Sequence, residues 1–119
     1  MKVVKLKNVP EVKNDTKLFT APVTIQTPLE HENSEFNVGW VHFPDGVGNK
    51  FHTHTSNQVL IVTEGKGAIA TEKEEVEIEA GDVVHIPAGE NHWHGAKDGS
   101  SMTHITVLSS DQKLIQTED

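Results

Sequence analysis

Short runs rich in β-branched residues recur along this chain, each closed by a turn signal, and that rhythm limits the fold more than any other feature. The runs cover Val23–Gln26, Phe36–Phe43, 58–63, 66–71, Glu75–Glu79, Val83–Ile86 and 102–108. Between them lie Pro44-Asp45-Gly46, Glu64-Gly65, Ala80-Gly81-Asp82 and Pro87-Ala88-Gly89, which supply a preset φ or tolerate a positive one. Closely spaced strands of this kind predict an all-β sandwich or barrel. Glu75-Val76-Glu77-Ile78-Glu79 alternates with period two, which reads as a strand with one wet face rather than a charged helix. No helix of three turns is predicted. Residues 1–35 are less regular and are expected to form an added strand or a dimer arm, and the polar tail 109–119 is expected to fray.

A chain of 119 residues has room for one core, so a single domain over 1–119 is expected, with the barrel at roughly 20–110 and an arm or added strand at 1–19. The formal net charge of -8 argues against nucleic acid and anionic membrane as partners, because both present negative charge. With no cysteine there is no disulfide framework, no thiolate metal site and no cysteine nucleophile. The first dozen residues alternate lysine with apolar residues and lack the apolar stretch of a signal peptide, so a soluble cytoplasmic protein is expected.

Of eight histidines, six fall between Phe51 and His104. His52 and His54 are one residue apart, so on a strand both point to one face, about 7 Å apart along the chain, and can reach one ion. Spacing alone leaves open the plainer reading of two hydrogen-bonded surface side chains. Gln58 opens the apolar run Val59-Leu60-Ile61-Val62 on the parity of Leu60 and Val62, where an amide needs a partner. His92 follows the Pro87-Ala88-Gly89 turn and shares its strand face with His94, while His104 lies between Met102 and Thr106 on a later strand. His85 is expected to pack or reach solvent. His42, opposite in parity to Val41 and Phe43, and His31, in a polar loop, are not assigned to a site. Trp40, Trp93 and Phe43 are candidates for a pocket wall or for core.

The punctuation around these histidines resembles the two cupin motifs. Gly46, five residues, His52, one residue, His54, three residues, Gln58, six residues and Gly65 is similar to the first, with Gln58 where the family usually has Glu. Gly81, five residues, Pro87, one residue, Gly89, two residues and His92 is similar to the second, and Ala96 stands where that motif often ends in Asn. The resemblance implies a jelly-roll β-barrel holding one divalent metal through His52, His54, Gln58 and His92. Within the family, His52-Thr53-His54, Gln58, His92-Trp93-His94-Gly95 and Met102-Thr103-His104 resemble bacterial manganese-dependent hydroxynitrile-lyase-like cupins. That likeness implies that His94 and His104 line the metal cavity as the acid/base pair.

Three imidazoles and an amide oxygen suit Mn, Fe, Co, Ni or Zn rather than Ca, and manganese is the first expectation. A neutral Gln58 leaves the ion's charge undiminished, which favours Lewis-acid work on a small carbonyl or hydroxy compound. A metal-dependent carbon-carbon lyase is therefore expected, with an oxygen-dependent Fe or Mn dioxygenase as the alternative in a second class. A binding module with a structural metal is a third reading. A homodimer, or a higher homo-oligomer, is expected from pairing at edge strands, with the N-terminal arm available to cover such an edge.

Overall fold

The computed structural model describes residues 1–29 and 35–119. Its strands, in chain order, are β1 (Val12–Asn14), β2 (Val23–Gln26), β3 (Phe36–Phe43), β4 (His52–His54), β5 (Gln58–Thr71), β6 (Glu75–Glu79), β7 (Val83–Ile86), β8 (His92–Ala96), β9 (Met102–Ser109) and β10 (Leu114–Gln116). Among the described residues the only helical element is a single 3-10 turn at Leu6–Asn8. No helix there is long and apolar enough to cross a membrane.

The sheet curls into a half-barrel because β5 serves both walls. Its first half pairs with β7 and β9, and β9 continues through β3 and β2 to β1. Its second half pairs with β6 and β8, and β8 leads through β4 to β10. All these pairings are antiparallel. The sequence predicts a turn at Glu64-Gly65 separating two strands; instead the strand continues unbroken through it, with a bulge between Val62 and Glu64. Gly65 takes φ +77, and a Cβ there would stand 1.9 Å from the Ser101 carbonyl oxygen, so the glycine serves to bend one long strand across the corner.

Period-two alternation places the core. Leu60 and Val62 of β5 point inward and are fully buried, whereas Val59 and Ile61 point outward and stay half-buried. Val23, Val41, Phe43, Val47, Val62, Ile78 and Met102 form the main apolar cluster. Each such side chain contributes about 1.5–3 kcal/mol by leaving water. In β6 the predicted wet face is present: Ile78 is buried and the three glutamates are exposed.

The tail corrects the expectation of fraying. Leu114–Gln116 pairs with His52–His54 as β10, and Thr117 donates to the Phe51 carbonyl. Apolar Leu114 and Ile115 give the segment strand character that its polar neighbours hide. At the other end, part of the arm is the added strand β1, paired with β2. The 3-10 turn beside it is held down by the Gln26 amide, which donates to the carbonyls of Leu6 and Val9 at 3.1 and 2.9 Å.

Candidate metal centre

Strand register brings the histidines together. His52 on β4 is the direct cross-strand partner of His92 on β8, so their side chains leave the sheet side by side, with ring centroids 4.4 Å apart. His54, two residues on, shares that face, its ring 4.9 Å from His52 and 5.7 Å from His92. All three are buried, and one nitrogen from each lies within 4.8 Å of the others, a set able to hold a metal ion.

Their neighbours fix which nitrogen faces inward. Nδ1 of His52 lies 2.7 Å from the Lys50 carbonyl, and Nδ1 of His92 lies 2.8 Å from the Glu90 carbonyl. A carbonyl only accepts, so each Nδ1 carries the proton and each Nε2 keeps its lone pair. Nδ1 of His54 meets the side-chain oxygen of Gln112 at 2.8 Å, with the same consequence. Three lone pairs held in place by outer hydrogen bonds are what a cation of this class requires. Gln58 stands beside them: its amide nitrogen donates to Thr106 Oγ1 at 2.8 Å, and its Oε1 lies 3.1 Å from His92 Nε2. With the proton on His92 Nδ1, two acceptors face each other there, a repulsion that a cation between them relieves.

The electrostatics agree. Burial pushes the His52 pKa down to about 4, partly opposed by its bond to the Lys50 carbonyl. Burial also lowers His54 and His92. The three imidazoles are therefore neutral near pH 7, the form that ligates a metal.

His94 and His104 form a second buried layer. His94 Nδ1 and His104 Nε2 are 3.0 Å apart, one ring donating to the other, and the His94 ring lies 5.7 Å from His52 and 5.6 Å from His92. Burial holds His94 well below the ordinary imidazole range and takes His104 to about 4. Among the described residues, His104 Nδ1 has no hydrogen-bond partner, although it is buried. Phe43 packs against both rings, at centroid distances of 6.0 and 5.2 Å, and so belongs to the core and to the site's wall together.

Three supporting residues escape a reading of the sequence. Asn49 accepts the His94 backbone N–H at 2.8 Å, donates its own backbone N–H to the His94 carbonyl at 3.0 Å, and sets its amide nitrogen 3.3 and 3.4 Å from the two ring nitrogens. Gln112 comes from the tail, which carries no signal of a site. Thr106 shares the parity of His104, the one hint available. Among the histidines left aside, His42 bonds Thr103 and Gln26 on the outer face, and His85 is exposed. His31 lies outside the described residues. Trp40 and Trp93 are half-buried on outward positions, away from the histidine cluster.

A cleft of about 460 Å³ opens between β6 and β7, which do not pair with each other. Register places Ile69, Val76, Ile78, Val84 and Ile86 on its inner walls, with His92 at its inner end. Glu74, Glu77, Asp82 and Glu90 also line it and are exposed, and Glu77 is paired with Lys97. No lysine lines this cleft, and the chain has no arginine.

A curled antiparallel half-barrel with a histidine cluster inside it defines the class: the chain belongs to the cupin family, whose domain matches residues 39–108. It is 40% identical over 91 residues to an (R)-mandelonitrile lyase of Granulicella tundricola, an alignment covering 75% of this chain and 70% of that one. Among solved structures, a cupin-like protein of Thermotoga maritima is 28% identical with TM-score 0.80, over 89% of this chain and 85% of the other. A polyketide cyclase of Streptomyces resistomycificus, 17% identical with TM-score 0.86 over 100% and 87% of the two chains, shares the fold.

Proposed function

We propose that this protein is a divalent-metal-dependent carbon-carbon lyase that cleaves or forms a cyanohydrin, with His52, His54, Gln58 and His92 as metal ligands and His94 and His104 as the acid/base pair. One observation carries the reading: a neutral ligand set lies one imidazole away from a buried, hydrogen-bonded histidine pair that no ligand role uses. The 40% identical relative named for mandelonitrile supports the reaction class. Manganese is the first candidate, with Fe, Co, Ni or Zn also suited to nitrogen and oxygen donors. When bound, the ion supplies positive charge that stabilises a substrate oxygen as it becomes negative.

The chain's own residues do the rest. Cleavage removes the hydroxyl proton, breaks the C–CN bond with its electron pair leaving on cyanide, and returns a proton to give an aldehyde and HCN. Neutral His94, held by Asn49, accepts the proton, and its contact with His104 spreads the resulting charge over two rings. The apolar inner walls of the cleft accept an uncharged aliphatic or aromatic body. With no arginine in the chain and no lysine on those walls, a second negative charge on the substrate would have no counter-ion there.

The test is elemental analysis followed by anaerobic mandelonitrile cleavage with apo, Mn-loaded and Fe-loaded protein. Metal-dependent benzaldehyde release is expected, and it should fall sharply in His104→Gln while metal content stays the same. Stoichiometric metal without cleavage, together with oxygen uptake on a hydroxy or carbonyl compound, would replace the lyase by the dioxygenase.

A further inference from the structure

Strand β4 carries two of the three imidazoles that can hold a metal ion, yet one side of it is only lightly joined to the sheet. Among the described residues, its register with β8 is the single pair His52 and His92, supplemented by the Gly89 N–H, which donates to the His54 carbonyl at 2.9 Å. Its other edge is taken by the tail, where Leu114, Ile115 and Gln116 of β10 pair with His54, Thr53 and His52. The contact extends past both ends of that ladder. Thr117 and Glu118 donate their backbone N–H groups to the Phe51 carbonyl at 3.0 and 3.3 Å, and the Phe51 N–H donates to Glu118 Oε1 at 2.8 Å. Thr55 donates its N–H to the Lys113 carbonyl at 3.0 Å, and the Lys113 N–H donates to Thr55 Oγ1 at 2.8 Å.

The same tail reaches the imidazoles. Nδ1 of His52 and Nδ1 of His92 are each held by a backbone carbonyl two residues earlier, those of Lys50 and Glu90. His54 differs, because its Nδ1 donates to Oε1 of Gln112, 58 residues away in sequence. Ring direction and tautomer at one of the three positions therefore depend on where the tail lies.

We propose that Gln112 is a positioning residue of the metal centre, and that β10 and the bound ion hold each other in place through β4. This role follows only if His52, His54 and His92 ligate the ion, the reading proposed for the site. An acceptor at Nδ1 keeps the His54 proton on that nitrogen and leaves Nε2 free to ligate. Without it the ring can turn, or take the other tautomer, in which the proton occupies the ligating lone pair. An ion held by His52 and His54 in turn fixes the strand on which β10 docks. By linkage, whatever factor tail docking contributes to metal affinity, metal contributes to tail docking. Leu114 and Ile115 stay 40% and 54% exposed, so little apolar burial fastens the tail, and a bound ion can shift its docking equilibrium.

Equilibrium dialysis of the full chain against Mn²⁺, with bound metal read by elemental analysis, tests the role of Gln112. Gln112→Leu removes the acceptor and should weaken Mn²⁺ binding by about tenfold to a hundredfold. Gln112→Glu keeps an acceptor at the same reach and should bind Mn²⁺ at least as tightly as the wild type. A side chain that merely packed the tail would favour leucine over glutamate, the opposite order. Hydrogen exchange read by mass spectrometry tests the linkage: Mn²⁺ should slow exchange at the amides of Thr55, Lys113, Thr117 and Glu118 by about tenfold or more in the wild type, and by less in Gln112→Leu. If Gln112→Leu loses its β-sheet circular dichroism, the wild-type exchange measurement decides. Equal Mn²⁺ affinity in wild type and Gln112→Leu, or tail amides indifferent to Mn²⁺, would overturn the proposal and leave the ligand assignment standing. A wild type that binds no Mn²⁺, Fe²⁺ or Zn²⁺ would instead remove the ligand assignment, and this proposal with it.

Discussion

Acidifying the metal-free protein should destabilise it through His104 by an amount that can be worked out. This imidazole is 1% exposed, packs against Phe43, and has its pKa taken by burial from 6.5 to about 4. Unfolding returns it to its ordinary value. The folded pKa lies below the unfolded one, so between those values the unfolded chain binds more protons. Stability that depends on neutral His104 is therefore fully present above about pH 6.5 and is lost as pH falls toward 4. The loss relative to neutrality is about 2 kcal/mol at pH 5 and about 3 kcal/mol at pH 4, a large share of the 5–15 kcal/mol typical of a domain. Urea titrations followed by the emission of Trp40 and Trp93, with a chelator present, measure it. His104→Leu presents an apolar side chain to Phe43 and binds no proton, while the other histidines titrate in both proteins. Between about pH 7 and pH 5 the wild type should lose about 2 kcal/mol more than the variant. Parallel pH dependences would refute the assignment of His104 as a buried neutral base.

Three further outcomes are expected. His52→Ala or His54→Ala should remove most bound metal and all metal-dependent turnover, read by elemental analysis and activity. Gln58→Glu should keep the metal but lower kcat by about tenfold, since a carboxylate offsets part of the positive charge that would stabilise a developing oxyanion. Gly95→Ala should cost about 3 kcal/mol or more, seen as a lower melting temperature, because overpacked backbone cannot easily yield. A Cβ there would stand 2.3 Å from Gly48 Cα and 2.8 Å from the Val47 carbonyl oxygen.

Much of this was legible in the chain. Alternating β-branched runs placed β2, β3, β6 and β7 at their observed bounds, since a half-buried strand leaves a period-two signature whatever it pairs with. The pairing of His52 with His54 needed only strand parity, and the motif glycines and prolines pointed to His92 and Gln58. Local signals failed where a partner distant in sequence decided the outcome. Gly65 looked like a turn because glycine marks positive φ in turns and bulges alike, and only pairing across β9 distinguishes them. Tail residues 114–116 became a strand because β4 offers them a free edge, and Gln112 entered the site on that strand's approach.

Residue type and spacing alone thus determined the all-β class and the shared strand face of His52 and His54, because both follow from the geometry of one extended chain, while His92 and Gln58 came from the resemblance to the cupin motifs. Only the tertiary structure decided which nitrogen each imidazole turns inward, that Asn49 holds His94, and that His94 and His104 touch. Those facts depend on carbonyls, amides and rings brought together from strands far apart in sequence, and on burial that makes their neutral forms the stable ones.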